Sequence, residues 1–251
     1  MIARIDLNCD LGEGAAADEA VMPLVSSANV ACGVHAGDDA TMRRTIVLAR
    51  RHGVAIGAHP GLADRAGFGR REVAVAPEGA YRLVLEQVGA LAAIAGEEGV
   101  ALAHVKPHGA LYNLAARDAA LADALAAAVR ACDGGLALFG QPGTEHERAA
   151  GAAGLRFVAE AFADRGYRAD GTLVPRAEPG AMIEDPEVAA ARIVALLRDG
   201  GLRARDGAWV PLVPGTVCVH GDSPRAVATT TAVRRALLAA GVAIVAPGAA
   251  P

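Results

Sequence analysis

The chain has 251 residues, 53% apolar and only 3% aromatic, with a formal net charge of −4. There is apolar material for a sizeable core, while the absence of a basic stripe and the scarcity of rings to stack on bases exclude a nucleic-acid partner. Arg4 and Asp6 interrupt the place where a secretion signal needs its apolar run, and no run of about 18 uncharged apolar residues follows, so a cytoplasmic protein without membrane span is expected.

The first apolar run, IARIDLN (2–8), leads into CDLGEG and brings Asp6, Asn8, Asp10 and Glu13 together. While the strand lasts, Asp6, Asn8 and Asp10 alternate and point one way. A second run, SANVACG (27–33), is followed by His35 and Asp38. A helix is predicted over 38–52, opened by Asp38-Asp39 and stopped at Gly53, with His52 in its last turn, where a cation is favourable. VAIGAH (54–59) ends on His59, and the charged loop DRAGFGRRE follows. Pro77 opens a helix over 77–98.

In ALAHVKP (101–107) the alternation puts His104, Lys106 and then His108 on one face, and Pro107 and Gly109 stop regular structure there. Helices are predicted over 117–131 and 144–153, on either side of a strand LALFGQ (136–141), with His146 on the surface of the second. RFVAEAFA (156–163) opens a polar stretch carrying Glu160, Asp164, Arg165 and Arg176. Pro186 starts a helix over 185–198, and 201–215 reads as a hairpin around Asp206-Gly207. TVCVHG (216–221) supplies His220 and Asp222, a helix covers 223–240, and the apolar run 242–247 closes the pattern.

Seven or eight strand–helix repeats predict an α/β fold with a parallel sheet. Their number favours a TIM-like (β/α) barrel, one domain over 1–251, although a strand count alone leaves an open doubly wound sheet available. The four cysteines lack CxxC spacing and read as small buried hydrophobes. Five of the seven histidines fall at strand carboxyl ends, where a barrel builds its site. Inward-pointing polar residues on six strands predict a real pocket rather than ordinary loop polarity.

The individual groups keep alternatives. Lys106 reads as an anion clamp, as a base if desolvation lowers its pKa, or as a salt-bridged rim residue. His35 and His59 with Asp10 are suitable types for a divalent metal, but without HxxxH or HExxH spacing no ligand set is assigned. Arg65, Arg70 and Arg71 suit an anion or a solvated loop equally. Neither a GxxxxGK[ST] or GxGxxG phosphate loop nor a GxSxG elbow is present.

Seven stretches in order, DLNCDLGEG (6–14), SANVACGVHAGD (27–38), GAHPG (57–61), DRAGFGRRE (64–72), VKPHGALYN (105–113), EAFADRGYRADGTLVPR (160–176) and CVHGDSP (218–224), resemble the LamB/YcsF family. The resemblance spans nearly the whole chain; FGQPGTEHERAA (139–150) and the tract after Gly14 match least, and no role is carried onto them. It implies a 5-oxoprolinase activity, opening the lactam of 5-oxo-L-proline to L-glutamate with ATP as co-substrate and with two further subunits, B and C. It also implies a barrel like that of glycoside hydrolases and metal-dependent deacetylases.

On that reading Asp10, with Asp6 nearby, directs water, Lys106 and His108 stabilise negative charge, and Arg165 or Arg176 clamps the substrate carboxylate. Asn8, Glu13, His35, Asp38, His59, Asn113, Glu160, Asp164, His220 and Asp222 are the expected substrate-binding lining. The alternatives are a stand-alone metal-dependent deacetylase or amidohydrolase, and a non-catalytic subunit that only holds substrate.

Overall fold

Alternation in RIDLNCDL builds β1 (Arg4–Leu11). Its apolar set, Ile5, Leu7, Cys9 and Leu11, joins the main core, while Asp6, Asn8 and Asp10 are just as buried. A strand buried on both faces belongs to a sheet covered by helices outside and filled inside. In the computed structural model, which describes residues 3–15 and 17–248, this is a closed parallel barrel. The expected strand start at Ile2 lies outside the described residues.

A single turn α1 (Asp18–Val21) leads to β2 (Ser27–Ala31), α2 (Asp39–His52), β3 (Ala55–His59) and α3 (Pro77–Glu97). There follow β4 (Leu102–Val105), α4 (Gly109–Ala115), α5 (Ala119–Cys132), β5 (Ala137–Gly140), α6 (Glu145–Ala152) and β6 (Arg156–Phe162). The chain ends with α7 (Pro186–Asp199), β7 (Gly201–Arg203), β8 (Trp209–Pro211), β9 (Thr216–His220), α8 (Ala226–Ala239) and β10 (Ala243–Ile244).

Strands β1 to β6 pair in chain order, β9 follows β6, and β9 pairs with β1 from Asp6 to Asp10. That last pairing closes a seven-strand TIM-like barrel and removes the open-sheet alternative. The final apolar run does not become an eighth stave: among the described residues β10 pairs only with Arg4 and Ile5. The hairpin at 201–215 is present as the antiparallel pair β7–β8. α4 is the element the sequence hid. Pro107 and Gly109 end a strand there, but Gly109, at φ 55, is also the first residue of a helix.

Side-chain caps set the helix starts: Asp38 accepts from the Thr41 N–H, Asp118 from Ala120 and Leu121, and Asp185 from Glu187 and Val188. Asp38 is exposed in this role, so it does not join the pocket lining expected of it.

Barrels of this kind usually fill with branched apolar side chains. Here a polar column fills much of the bore. Asp6 accepts from Ser26, Ser27 and Thr216. Above it, Asn8 donates to Glu160 at 3.1 Å and Thr216 at 2.7 Å. Asn29 donates to Asn8 and Asp10, and His104 Nε2 donates to Asn29 Oδ1 at 2.7 Å. Gly57 makes room for that histidine: a Cβ there would stand 2.1 Å from His104 Nε2. The ring of His104 stacks on Phe139 at 3.9 Å, beside the small apolar plug of Ala137, Phe139 and Val158.

Burial pushes the Asp6 carboxyl up, and hydrogen bonds from Ser26, Thr216 and Ser27 only partly oppose it, leaving a value of about 6 against 3.8 for the free group. A carboxyl raised by folding favours the native state while protonated and loses that contribution as pH rises through the folded value. Asp6→Asn should therefore gain stability relative to wild type between pH 4 and 7, by up to roughly 3 kcal/mol. Urea unfolding of both proteins across that range checks this; a constant difference would refute it.

Candidate functional site

The column ends at the barrel mouth in an ion pair. Lys106, just beyond β4, reaches inward and its Nζ donates to Asp10 Oδ1 at 2.7 Å, with Glu160 Oε1 at 3.1 Å and Cys218 Sγ at 2.9 Å. Burial pulls the ammonium down, but Asp10, Cys218 and Glu160 outweigh it and lift the lysine well above its ordinary value. Asp10 and Glu160 thus hold Lys106 as a cation, which favours the anion-clamp reading of its sequence over the base reading. Burial likewise pushes Asp10 up, yet His59, Lys106 and His220 together hold it well below the usual carboxylate range.

Beside this pair, His35, His59 and His108 crowd around Glu13. Glu13 Oε1 lies 3.5 Å from His35 Nε2, 3.5 Å from His108 Nδ1 and 4.0 Å from His59 Nε2. His59 Nδ1 is 2.7 Å from the Lys106 carbonyl oxygen, and His108 Nε2 is 2.8 Å from that of Phe68. Carbonyls only accept, so both nitrogens carry hydrogen. His108 therefore has one nitrogen tied to backbone and the other turned toward His59, at 2.9 Å. It is not free to donate to a substrate oxyanion, the role expected of it. Glu13, His35, His59 and His108 are a buried group able to hold a metal ion. The set adds Glu13 and His108 to the His35 and His59 of the sequence reading, while Asp10 stays beside it, with Oδ2 3.4 Å from His59 Nε2 and Oδ1 engaged by Lys106.

Across the mouth, His220 Nδ1 lies 2.9 Å from Asp164, and its ring stacks on Phe162. One nitrogen of His220, an Asp10 carboxylate oxygen and Cys218 Sγ all lie within 4.8 Å of one another. Asp10 and His220 floor a cavity of about 580 Å³ that Arg70, Tyr112, Asn113, Arg165 and Arg176 also line.

The arginines are not equivalent. Arg165 donates to the carbonyls of Ala181 and Val174 and so ties down the long loop after β6. Arg70 pairs with Asp222 at 2.5 Å and Arg168 with Glu178. Arg176 has no carboxylate partner among the described residues.

The structure thus brings Asp10, Lys106, His59, His108, Asn113, Arg165, Arg176 and His220 to one cavity. Asp6, Asn8 and Glu160 lie in the bore, Glu13 and His35 in the histidine cluster, and Asp164 and Asp222 behind His220 and Arg70. Gln141 and Thr144 line the mouth although no role was carried to that stretch; their position after β5 was the available signal. His146, expected on the surface, is fully buried, its ring against Tyr112 at 4.8 Å.

The profile of the LamB/YcsF family matches residues 5–250. The 5-oxoprolinase A subunit of Symbiobacterium thermophilum is 53% identical over 253 residues, covering 99% of this chain and 97% of its own. The protein of the same name from Bordetella pertussis is 53% identical over 249 residues, covering 97% and 99%. A lactam utilization protein from Thermus thermophilus superposes with a TM-score of 0.91 at 49% identity, over 97% of this chain and 99% of that one. With a matching profile from the first strand to the last, at this level of identity, the chain belongs to the LamB/YcsF family.

Proposed function

We propose that this chain is the A subunit of a 5-oxoprolinase, opening the lactam of 5-oxo-L-proline to L-glutamate with ATP as co-substrate, alongside subunits B and C in the cytoplasm. The observation that carries the reading is the 53% identity, over nearly the full length of both chains, to proteins named as the A subunit of 5-oxoprolinase. The cavity supports it: a small anionic lactam meets an unpaired arginine at the rim and a fixed ion pair at the floor.

A lactam carbonyl is a poor electrophile. Transfer of the γ-phosphoryl group of ATP to its oxygen would release ADP and make that oxygen a leaving group. Water then adds to the carbon, the ring C–N bond breaks with its electrons going to the nitrogen, which takes up a proton, and a second water hydrolyses the resulting γ-glutamyl phosphate to carboxylate and phosphate. In this chain, Arg176 holds the substrate carboxylate. Asp10 accepts a hydrogen bond from the attacking water, and the Lys106 charge favours the anionic oxygens. His220, oriented through Nδ1 by Asp164, uses Nε2 to take the water proton and return it to the leaving nitrogen.

Glutamate release from 5-oxoproline should require ATP, this chain and subunits B and C together. A chain that hydrolyses N-acyl substrates alone, without ATP, would refute the assignment. In the complete mixture, Asp10→Asn and His220→Gln should each lower kcat by about 100-fold or more with little change in KM. Arg176→Ala should instead raise KM for 5-oxoproline by about tenfold or more. Steady-state kinetics on variants with unchanged circular dichroism separates the two patterns, and wild-type constants in all three would remove these roles.

A further inference from the structure

The Glu13–His35–His59–His108 cluster is not explained by the lactam chemistry above, which uses none of its nitrogen atoms. Its side chains are almost wholly buried: His35 and His59 are 1% exposed and His108 is 4% exposed. Yet Glu13 Oε1 and both nitrogens of His35 lack any hydrogen-bond partner among the described residues. Buried polar atoms left this way are costly unless something occupies the space between them.

The tautomers sharpen the problem. His59 Nδ1 and His108 Nε2 donate to the carbonyls of Lys106 and Phe68. In the neutral rings this leaves a lone pair on His59 Nε2 and another on His108 Nδ1, facing each other across 2.9 Å. A carboxylate oxygen stands 3.5 Å from the second of these. Lys106 is committed to Asp10, Glu160 and Cys218. Imidazole nitrogens converging with two carboxylate oxygens, Glu13 Oε1 and Asp10 Oδ2 (3.4 Å from His59 Nε2), describe a site for a cation.

We propose that Glu13, His35, His59 and His108 form a binding site for one divalent first-row transition ion, with Zn²⁺ the best match. Three imidazoles and a carboxylate are the donor set such ions favour, whereas Mg²⁺ and Ca²⁺ require oxygen. A tetrahedral site with arms of about 2.0–2.1 Å has ligand-to-ligand edges of about 3.4 Å. The separations here, 2.9, 3.5, 3.5 and 4.0 Å, bracket that edge. The carbonyl contacts of His59 and His108 are the outer hydrogen bonds that fix ligand tautomer and orientation at metal sites.

The rings of His59 and His108 are nearly perpendicular, at 86°, and can share one ion in both planes. His35 differs: it lies flat on His108 at 3.9 Å and 4°, so both rings cannot keep one ion in plane. It must turn to become the fourth ligand, and with neither nitrogen hydrogen-bonded nothing polar resists the turn. Gly61 leaves the space beside it, since a Cβ there would stand 2.6 Å from His35 Nδ1. Glu13, His59 and His108 are thus the preset ligands and His35 the recruited one.

Chelator-stripped wild-type chain, titrated with Zn²⁺, Co²⁺ or Mg²⁺ by calorimetry, should bind one Zn²⁺ or Co²⁺ and no Mg²⁺. Bound Co²⁺ should give the visible absorption of a four-coordinate nitrogen–oxygen site. Glu13→Gln and His108→Ala should weaken binding by about 100-fold or more, His35→Ala by about tenfold, and the exposed His52→Ala not at all. Should the ligand variants fail to fold, the wild-type melting temperature still decides: Zn²⁺ must raise it and Mg²⁺ must not. A wild-type chain that takes up no Zn²⁺ at concentrations up to about a millimolar overturns the site, leaving a shared proton as occupant of the cluster. Binding unchanged in Glu13→Gln and His108→Ala overturns it equally.

Discussion

The buried Lys106–Asp10 pair is the interaction on which the rest of this barrel depends. An ammonium taken out of water costs several kcal/mol, and one carboxylate at 2.7 Å repays it only if the remaining donors are also met. Glu160 and Cys218 meet them, and each is held by an element of its own, β6 and β9. Asn8 and Asn29 then fix the carboxylates from below. Closure of the barrel is what assembles these partners, because Asp10, Lys106, Glu160 and Cys218 come from four different strands or their ends. The polar column is thus a consequence of placing one cation at the mouth. Well-packed apolar residues would serve stability at least as well. Its presence marks a bore kept for chemistry rather than for packing.

The same constraint explains the neighbouring histidines. Lys106 supplies Nζ to the pocket and its backbone carbonyl to His59 Nδ1, so the residue that fixes Asp10 also fixes the His59 tautomer. Pro107 and Gly109 then turn the chain sharply enough to bring His108 against His59 and to start α4. Ala110 donates to the Gly69 carbonyl and His108 Nε2 to that of Phe68, clamping the arginine-bearing loop after β3 onto the mouth. The ion pair, the histidine cluster and the loop holding Arg70 are one mechanical unit.

Much of this was legible in the sequence because strand alternation states direction. Asp6, Asn8 and Asp10 had to face one way, as did His104 and Lys106, and a count of seven or eight strands favoured closure without settling it. Three things were not legible. Asp38 reads both as the opening of a helix and as pocket lining at a strand end, and only its hydrogen bond to the Thr41 N–H separates the cap from the ligand. His146 sits on a helix start that reads as surface, and only the docking of α6 beside Tyr112 buries it. Glu13 and His108 come from motifs 95 residues apart, and their meeting at 3.5 Å requires the barrel to close first. Local pattern gives facing and periodicity; partnership between distant strand ends is a property of closure.

Closure also redistributes the chemistry within the mouth. The attraction that holds Asp10 ionised beside Lys106 and His59 makes it a weak base, since a group kept well below the ordinary carboxylate range has little appetite for a proton. In the proposed reaction, proton transfer then falls to a group that is held in orientation at the cavity wall. His220 has its Nδ1 fixed by Asp164, its ring supported by Phe162, and a position among the cavity-lining residues. On that proposal Asp10 contributes direction and negative charge, His220 contributes the proton site, and Lys106 holds the Asp10 carboxylate in place at 2.7 Å. The strand alternation that puts Asp10 and Lys106 in the same mouth therefore makes Asp10 an anchor, and in the proposed reaction the mobile proton passes through the histidine opposite.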